Sequence, residues 1–175
     1  TVNTVLQGML VEAAVVKKNN GASFEETIKY VNMIKETGRI FFTIGGMDYL
    51  VHGGRVGKLS GIAAGALGIK PLILLKDGEI FSNGLTRGRK KSIQKIIEQI
   101  IDYFKDNQYD VNKYRFCIGF GYDKEEAVKF KEKFIEAIKE ICPSFNDDVS
   151  IRQIGATIGV HTGPHPLGVG LLQKD

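Results

Sequence analysis

The residue pattern predicts an α/β domain built on a mixed β-sheet packed with helices. Three observations carry this expectation. Apolar residues recur at helical spacing in several long segments. One Asp-Gly pair joins two strand-like runs, and further strand-like runs alternate with helical ones. At 175 residues, 43% of them hydrophobic, the chain has the material for one good core.

The elements follow in order. Val5, Leu6, Met9, Leu10 and Ala13 form a helical stripe, predicting a helix over about 3–18 that stops near Asn19-Asn20-Gly21. Ser23 and Glu26 have capping-box spacing, and Phe24, Ile28, Val31 and Ile34 continue a second helix behind them. The run 39–44, Arg-Ile-Phe-Phe-Thr-Ile, is aromatic and β-branched and reads as a strand. A short helix around 47–51 should stop at Gly53-Gly54, and a close-packing one over 59–67 is rich in Ala and Gly. Residues 69–76 and 79–86 flank Asp77-Gly78, the strongest short hairpin signal. Ile93, Ile96, Ile97, Ile100 and Ile101 mark a long helix to about 106. A strand at 114–121, a charged amphipathic helix at 124–141 and a strand at 149–154 complete the pattern before the tail.

Composition narrows the function classes. A net charge of +4, with bases mixed among acids along the helices, is mild for a nucleic-acid binder. Cys117 and Cys142 are too few and too far apart for a metal site and read as ordinary thiols in a reducing, cytoplasmic setting. No Gly-Lys-Ser/Thr follows a glycine loop at phosphate-cradling spacing. No serine-nucleophile motif, Cys/His pair or carboxylate cluster suggests hydrolysis. Glycine, at 21 residues, exceeds the usual ~7% and gathers in loops and in the tail.

That tail is the most informative segment. From Ile154 to Gln173 there is no Asp, Glu, Lys or Arg, yet His161 and His165 fall inside. Its five Gly and two Pro argue against a membrane-spanning helix. The runs 156–160 and 167–172 flank His161-Thr162-Gly163-Pro164, predicting a buried strand–loop–strand whose loop faces something other than bulk water. His161 is then either a loop histidine bonded to nearby backbone or a donor–acceptor for a carboxylate. Thr162 and Gly163 are loop-shaping residues whose amides could touch the same group. His165 and His52 read as surface or structural. Arg87, Arg89, Lys90, Lys91 and Lys95 come without an acid until Glu98 and oppose the macrodipole of the helix they open. A solvated charge run explains them simply; contact with an anionic surface is the alternative, and Arg55 is a second exposed candidate.

The His161–Pro164 block resembles the C-terminal signature of the DegV family, bacterial fatty-acid-binding proteins that present acyl chains to a fatty-acid kinase. Three more segments resemble it in the same order: Tyr49-Leu-Val-His-Gly-Gly-Arg-Val56, Gly68-Ile-Lys-Pro-Leu-Ile73 and Thr86-Arg-Gly-Arg-Lys-Lys91. The opening, Leu6-Gln-Gly-Met-Leu-Val-Glu-Ala13, resembles the helix leading into the family's second domain. Two departures stand out: His165-Pro166 where the family has Gly-Ala, and Gly45-Gly46 where it has an acidic pair.

The resemblance implies that residues 1–175 are the C-terminal domain of a two-domain protein whose N-terminal domain is absent from this chain. It implies no cofactor, a long-chain fatty acid such as palmitate as ligand, and a non-catalytic carrier role. His161, with Thr162 and Gly163, would hold the carboxyl group. Arg55, Arg87 and Arg89 would meet the kinase partner. Leu6, Met9, Leu10, Phe41, Phe42, Ile62, Leu67, Leu72 and Ile73 supply an apolar interior, with Ala63, Ala64, Gly65 and Ala66 leaving room for a tail. Leu6, Met9, Leu10 and the segment 160–172 are further expected to expose apolar surface to the missing domain, so that the isolated domain forms a homodimer. The alternatives are an enzyme domain like that of dihydroxyacetone kinases, with His161 acting on a small ketone, and a regulatory domain without ligand.

Overall fold

The computed structural model describes residues 2–55, 57 and 68–174. The expected helix at 59–67, with Ile62, Leu67 and its small residues, lies outside them. Among the described residues, six strands form one sheet: β1 (Arg39–Thr43), β2 (Ile69–Lys76), β3 (Glu79–Arg87), β4 (Tyr114–Phe120), β5 (Ser150–Gln153) and β6 (Leu167–Gln173). Their spatial order is β3-β2-β1-β6-β4-β5. β4 and β5 run parallel and every other neighbouring pair is antiparallel, so the expected mixed sheet is present.

Local chemistry fixes much of this. Asp77 and Gly78 take φ of 54° and 84°, the left-handed pair that a two-residue hairpin between β2 and β3 requires. The helices are α1 (Thr4–Asn19), α2 (Phe24–Ile34), α3 (Asp48–His52), α4 (Arg89–Asp106), α5 (Lys124–Ile141) and α6 (Ala156–Thr162). At α2 the capping box is complete: Glu26 N–H donates to Ser23 Oγ at 3.1 Å, and Ser23 N–H donates to Glu26 Oε2 at 2.7 Å. Such caps contribute about 0.5–2 kcal/mol. Asp123 caps α5 with its side chain alone, accepting from Glu126 N–H at 2.9 Å.

The two faces of the sheet are packed differently. On one, α4 and α5 bury Ile96, Ile100, Phe104, Phe130 and Phe134 against Phe116, Ile118, Val169 and Leu171 of β4 and β6. Phe116 meets Phe134 edge-on with centroids 5.3 Å apart. On the other, α1 and α2 cover Ile40, Leu75, Cys117 and Leu172, while a separate small cluster of Ile44, Met47, Leu50 and Ile73 sits near α3. Phe42 and Ile80, both partly buried, bridge those two clusters.

Three expectations are corrected. The segment 156–160 is not a strand: it lies in α6, which starts from the extended Gly155 and stops at Gly163, where φ is 73°. A short uncharged run carries no period that separates helix from strand, and the two glycines decided the matter here. Nor is the whole tail buried, since Val160 is 65% exposed while β6 is enclosed. Leu6, Met9 and Leu10 are core residues at 0%, 4% and 8% exposure and the segment 167–172 is buried in β6, so of the large apolar side chains expected to be open there only Val160 is exposed. The apolar side chains left open on these helices are Val11, Val15, Val16, Phe24, Ile28 and Met33.

Candidate functional site

β6 reads Leu-Gly-Val-Gly-Leu-Leu-Gln, so Leu167, Val169 and Leu171 go to the α4–α5 core and Gly168 and Gly170 to the other face. β4 alternates likewise, with Phe116, Ile118 and Phe120 on one face and Cys117 and Gly119 on the other. In register, Gly119 pairs with Gly168 and Cys117 with Gly170. The centre of the sheet therefore has a floor without side chains. A Cβ on Gly168 would lie 2.3 Å from Phe41 O and 2.4 Å from Phe42 Cβ, so no larger residue fits that strand as it stands.

Above this floor lies a cavity of about 490 Å³. Its apolar wall is Ile40, Phe42, Leu50, Leu75, Ile80 and Ile158, and its size is that of ordinary small-molecule sites. At this cavity the structure brings together Arg55, His161 and Thr162. Arg55 is the one charged side chain among the described lining residues.

The polar end is assembled by two short helices. α6 packs on α3 through glycines: a Cβ on Gly53 would lie 2.4 Å from His161 Nδ1, and one on Gly163 would lie 2.5 Å from the Tyr49 ring. His161 Nδ1 is buried and has no hydrogen-bond partner in the protein. A buried polar atom without a partner is costly, and that nitrogen is not spent on the backbone contact that an ordinary loop histidine would make. Arg55 Nη1 donates to the carbonyl of the same Gly53 at 2.5 Å, so cation and imidazole converge on one residue. The site loop is held in place by Gly121 N–H on Pro166 O at 3.0 Å and Tyr122 N–H on Pro164 O at 2.8 Å.

The remaining expected site residues serve elsewhere. The Thr162 hydroxyl lies 3.1 Å from Ile158 O, to which it can donate within α6. Gly163 N–H donates to Gly159 O at 2.8 Å, and its left-handed φ ends the helix, so this residue shapes the site and its amide is already used. Arg87 is exposed at the end of β3, opposite Ile69. Arg89 is paired internally: Nε and Nη2 donate to Glu126 Oε1 and Oε2 at 2.9 and 2.5 Å, tying α4 to α5. Its neighbours Lys90 and Lys91 remain exposed. His52 Nδ1 lies 2.7 Å from Asp48 O, and His165 is exposed in the site loop. Of the expected interior residues, Phe42 lines the cavity; Phe41, Leu72 and Ile73 are core.

The cavity walls Ile40, Leu75, Ile80, Gly119 and Gly168 carry no local sequence motif of a site. All five lie on different strands and come together only through strand register. The glycine alternation of β6 was a signal in plain view, hidden inside an apolar run. Among the described residues no cluster of His, Cys, Asp and Glu could hold a metal ion, and no helix is long and apolar enough to cross a membrane.

The chain is similar to known proteins. A DegV domain-containing protein of Clostridium acetobutylicum is 32% identical over 169 residues, covering 96% of this chain and 57% of that protein. A Thermotoga maritima protein named fatty acid-binding protein is 30% identical over 155 residues, 87% of this chain and 50% of its own length. Among solved structures, a stearic acid-binding protein of Eubacterium ventriosum is 34% identical with a TM-score of 0.82, over 96% of this chain and 55% of that one. The chain thus spans about half the length of these relatives. The family model described as "Uncharacterised protein, DegV family" matches residues 2–174, and the chain belongs to the DegV family.

Proposed function

We propose that this chain binds a long-chain fatty acid, with the acyl tail over the Gly119–Gly168 floor and the carboxylate at the Arg55–His161 end, and acts as a carrier without chemistry of its own. The observation that carries the reading is the cavity itself. Ile40, Phe42, Leu50, Leu75, Ile80 and Ile158 give it an apolar wall, and Arg55, the one charged side chain among the described lining residues, shares it with a histidine whose buried Nδ1 lacks a partner in the protein. A carboxylate there gains a cation and an imidazole, and each methylene buried behind it contributes about 0.8 kcal/mol. The names borne by the relatives, fatty acid-binding and stearic acid-binding, favour the same ligand class.

In this reading the carboxyl end is presented to a fatty-acid kinase, and a second domain meets the apolar rim of Tyr49, Val51 and Val160, each exposed. Arg55 and Arg87, both exposed, would form the contact with the kinase; Arg89 is left out because Glu126 already holds it. Arg87→Glu should slow acyl phosphorylation while bound lipid is retained. Native mass spectrometry of the purified protein tests the ligand. The expected result is an adduct of palmitate or stearate mass. A small-ketone adduct would replace the carrier reading with an enzymatic one, and protein that takes up neither would remove both.

A further inference from the structure

We infer that Val5 is the partition that sets how long an acyl chain this site accepts; the inference rests on the fatty-acid reading above. A second cavity, of about 590 Å³, adjoins the first. Both are bounded by the first turn of α1, at Asn3, Thr4 and Val5, and by Ile154, Thr157 and Ile158. Gly119 and Cys117 are successive positions of β4 on the same face, yet Gly119 lines the first cavity and Cys117 the second. Val5 stands at the step between them. Its Cγ1 lies 3.1 Å from where a Cβ on Gly119 would be, and its Cγ2 lies 2.6 Å from where a Cβ on Gly170 would be.

The buried valine thus rests on side-chain-free backbone of two adjacent strands, and its two methyl groups close the passage. Behind it the second cavity is lined by buried Cys117 on the sheet and buried Met9 on α1, with the polar Gln7, Ser150 and Gln153 around them. The charged pair Arg152–Glu12, at 3.1 Å, lies at that cavity's outer edge, where its side chains are more than half exposed. A shorter chain ends at the valine, and a longer one has to displace it.

The geometry gives substitutions of opposite sign. Val5→Ala removes both methyl groups and joins the cavities. Gly119→Ala adds a methyl 3.1 Å from Val5 Cγ1 and 3.4 Å from Ile154 Cγ2, narrowing the first cavity with Val5 intact. In the double variant the new methyl occupies part of the space that the valine left. The protein is loaded with an equimolar mixture of myristate, palmitate, stearate and arachidate, and the retained acids are extracted and quantified. In Val5→Ala the arachidate-to-palmitate ratio should rise about tenfold over the unsubstituted protein, equivalent to ~1.4 kcal/mol. In Gly119→Ala it should fall, and the double variant should return towards the starting ratio. Retention of fatty acid by the unsubstituted protein, with the same ratio in all variants, overturns the partition and leaves the fatty-acid reading standing. Failure of the unsubstituted protein to retain any of the acids overturns that reading, and the partition with it.

Discussion

The two faces of the same sheet are built to opposite specifications. β4 and β6 send Phe116, Ile118, Phe120, Leu167, Val169 and Leu171 into the α4–α5 core, where rings and branched chains fill the space. One position along, the same strands turn Cys117, Gly119, Gly168 and Gly170 to the other face, and the core there divides into two clusters around a cavity of about 490 Å³. One face therefore supplies stability, while the other holds space. Period-2 alternation lets one strand do both, because its neighbouring residues never share a face.

The sharpest way to break this contrast is to empty the filled face. Phe134 is fully buried between α5 and β4. Phe134→Ala should cost about 3–5 kcal/mol in urea unfolding. Protein that remains folded should still bind fatty acid, since no wall of the cavity includes this residue. A loss below about 1 kcal/mol would mean that the core relaxes freely and is not close-packed.

On the other face the largest effect should fall on binding. His161→Ala removes the imidazole at the polar end of the cavity and leaves the packed face untouched. Fatty-acid affinity should drop roughly tenfold or more, on the scale of about 1.5–3 kcal/mol for hydrogen bonds to charged groups. The unfolding midpoint should stay near its starting value. Isothermal titration and urea unfolding of the same preparation separate the two effects, and a parent-like affinity would remove His161 from the site.

These two sites also show what was legible in the sequence. His161 could be found because it stands in a segment otherwise without charge, and the capping box and the Asp77-Gly78 turn could be read because their chemistry is local. The residues 156–162 could not be resolved, since seven uncharged residues fit a strand or two turns of helix equally. Nor could the cavity walls, because Ile40, Leu75 and Ile80 become neighbours only through the β1–β2–β3 register. The exposure of α1 was misjudged for a related reason. Its periodic stripe marks the face that packs inward, and Leu6 is wholly buried there. Arg89 looked like a surface cation because Glu126, its partner, lies 37 residues away.

Two smaller effects sharpen the comparison. Arg89→Ala should lower stability by about 1–2 kcal/mol through loss of the bidentate tie between α4 and α5, since the pair is only partly buried. Arg87→Ala, on an exposed strand end, should change stability little; equal losses in the two urea titrations would contradict this assignment. The smallest effect at neutral pH belongs to Tyr114. Burial, reinforced by Tyr103 and Tyr109 and opposed by Arg39, pushes its phenol from 10.0 up to about 12. The folded chain thus keeps a proton that the unfolded chain loses first. The stability this contributes is complete below pH ~10 and is lost as pH rises through about 12. Tyr114→Phe should flatten that alkaline decline in urea unfolding measured against pH; an unchanged slope would contradict it.

The most direct test of an acyl site on the open face is a crystal structure of the protein with stearate. The expected result is an acyl chain lying against Gly119 and Gly168, bounded by Ile40, Phe42 and Leu75, with its carboxylate at Arg55 and His161. Stearate bound on the outer surface of α1 and α2, with the cavity above the glycine floor unchanged, would contradict it.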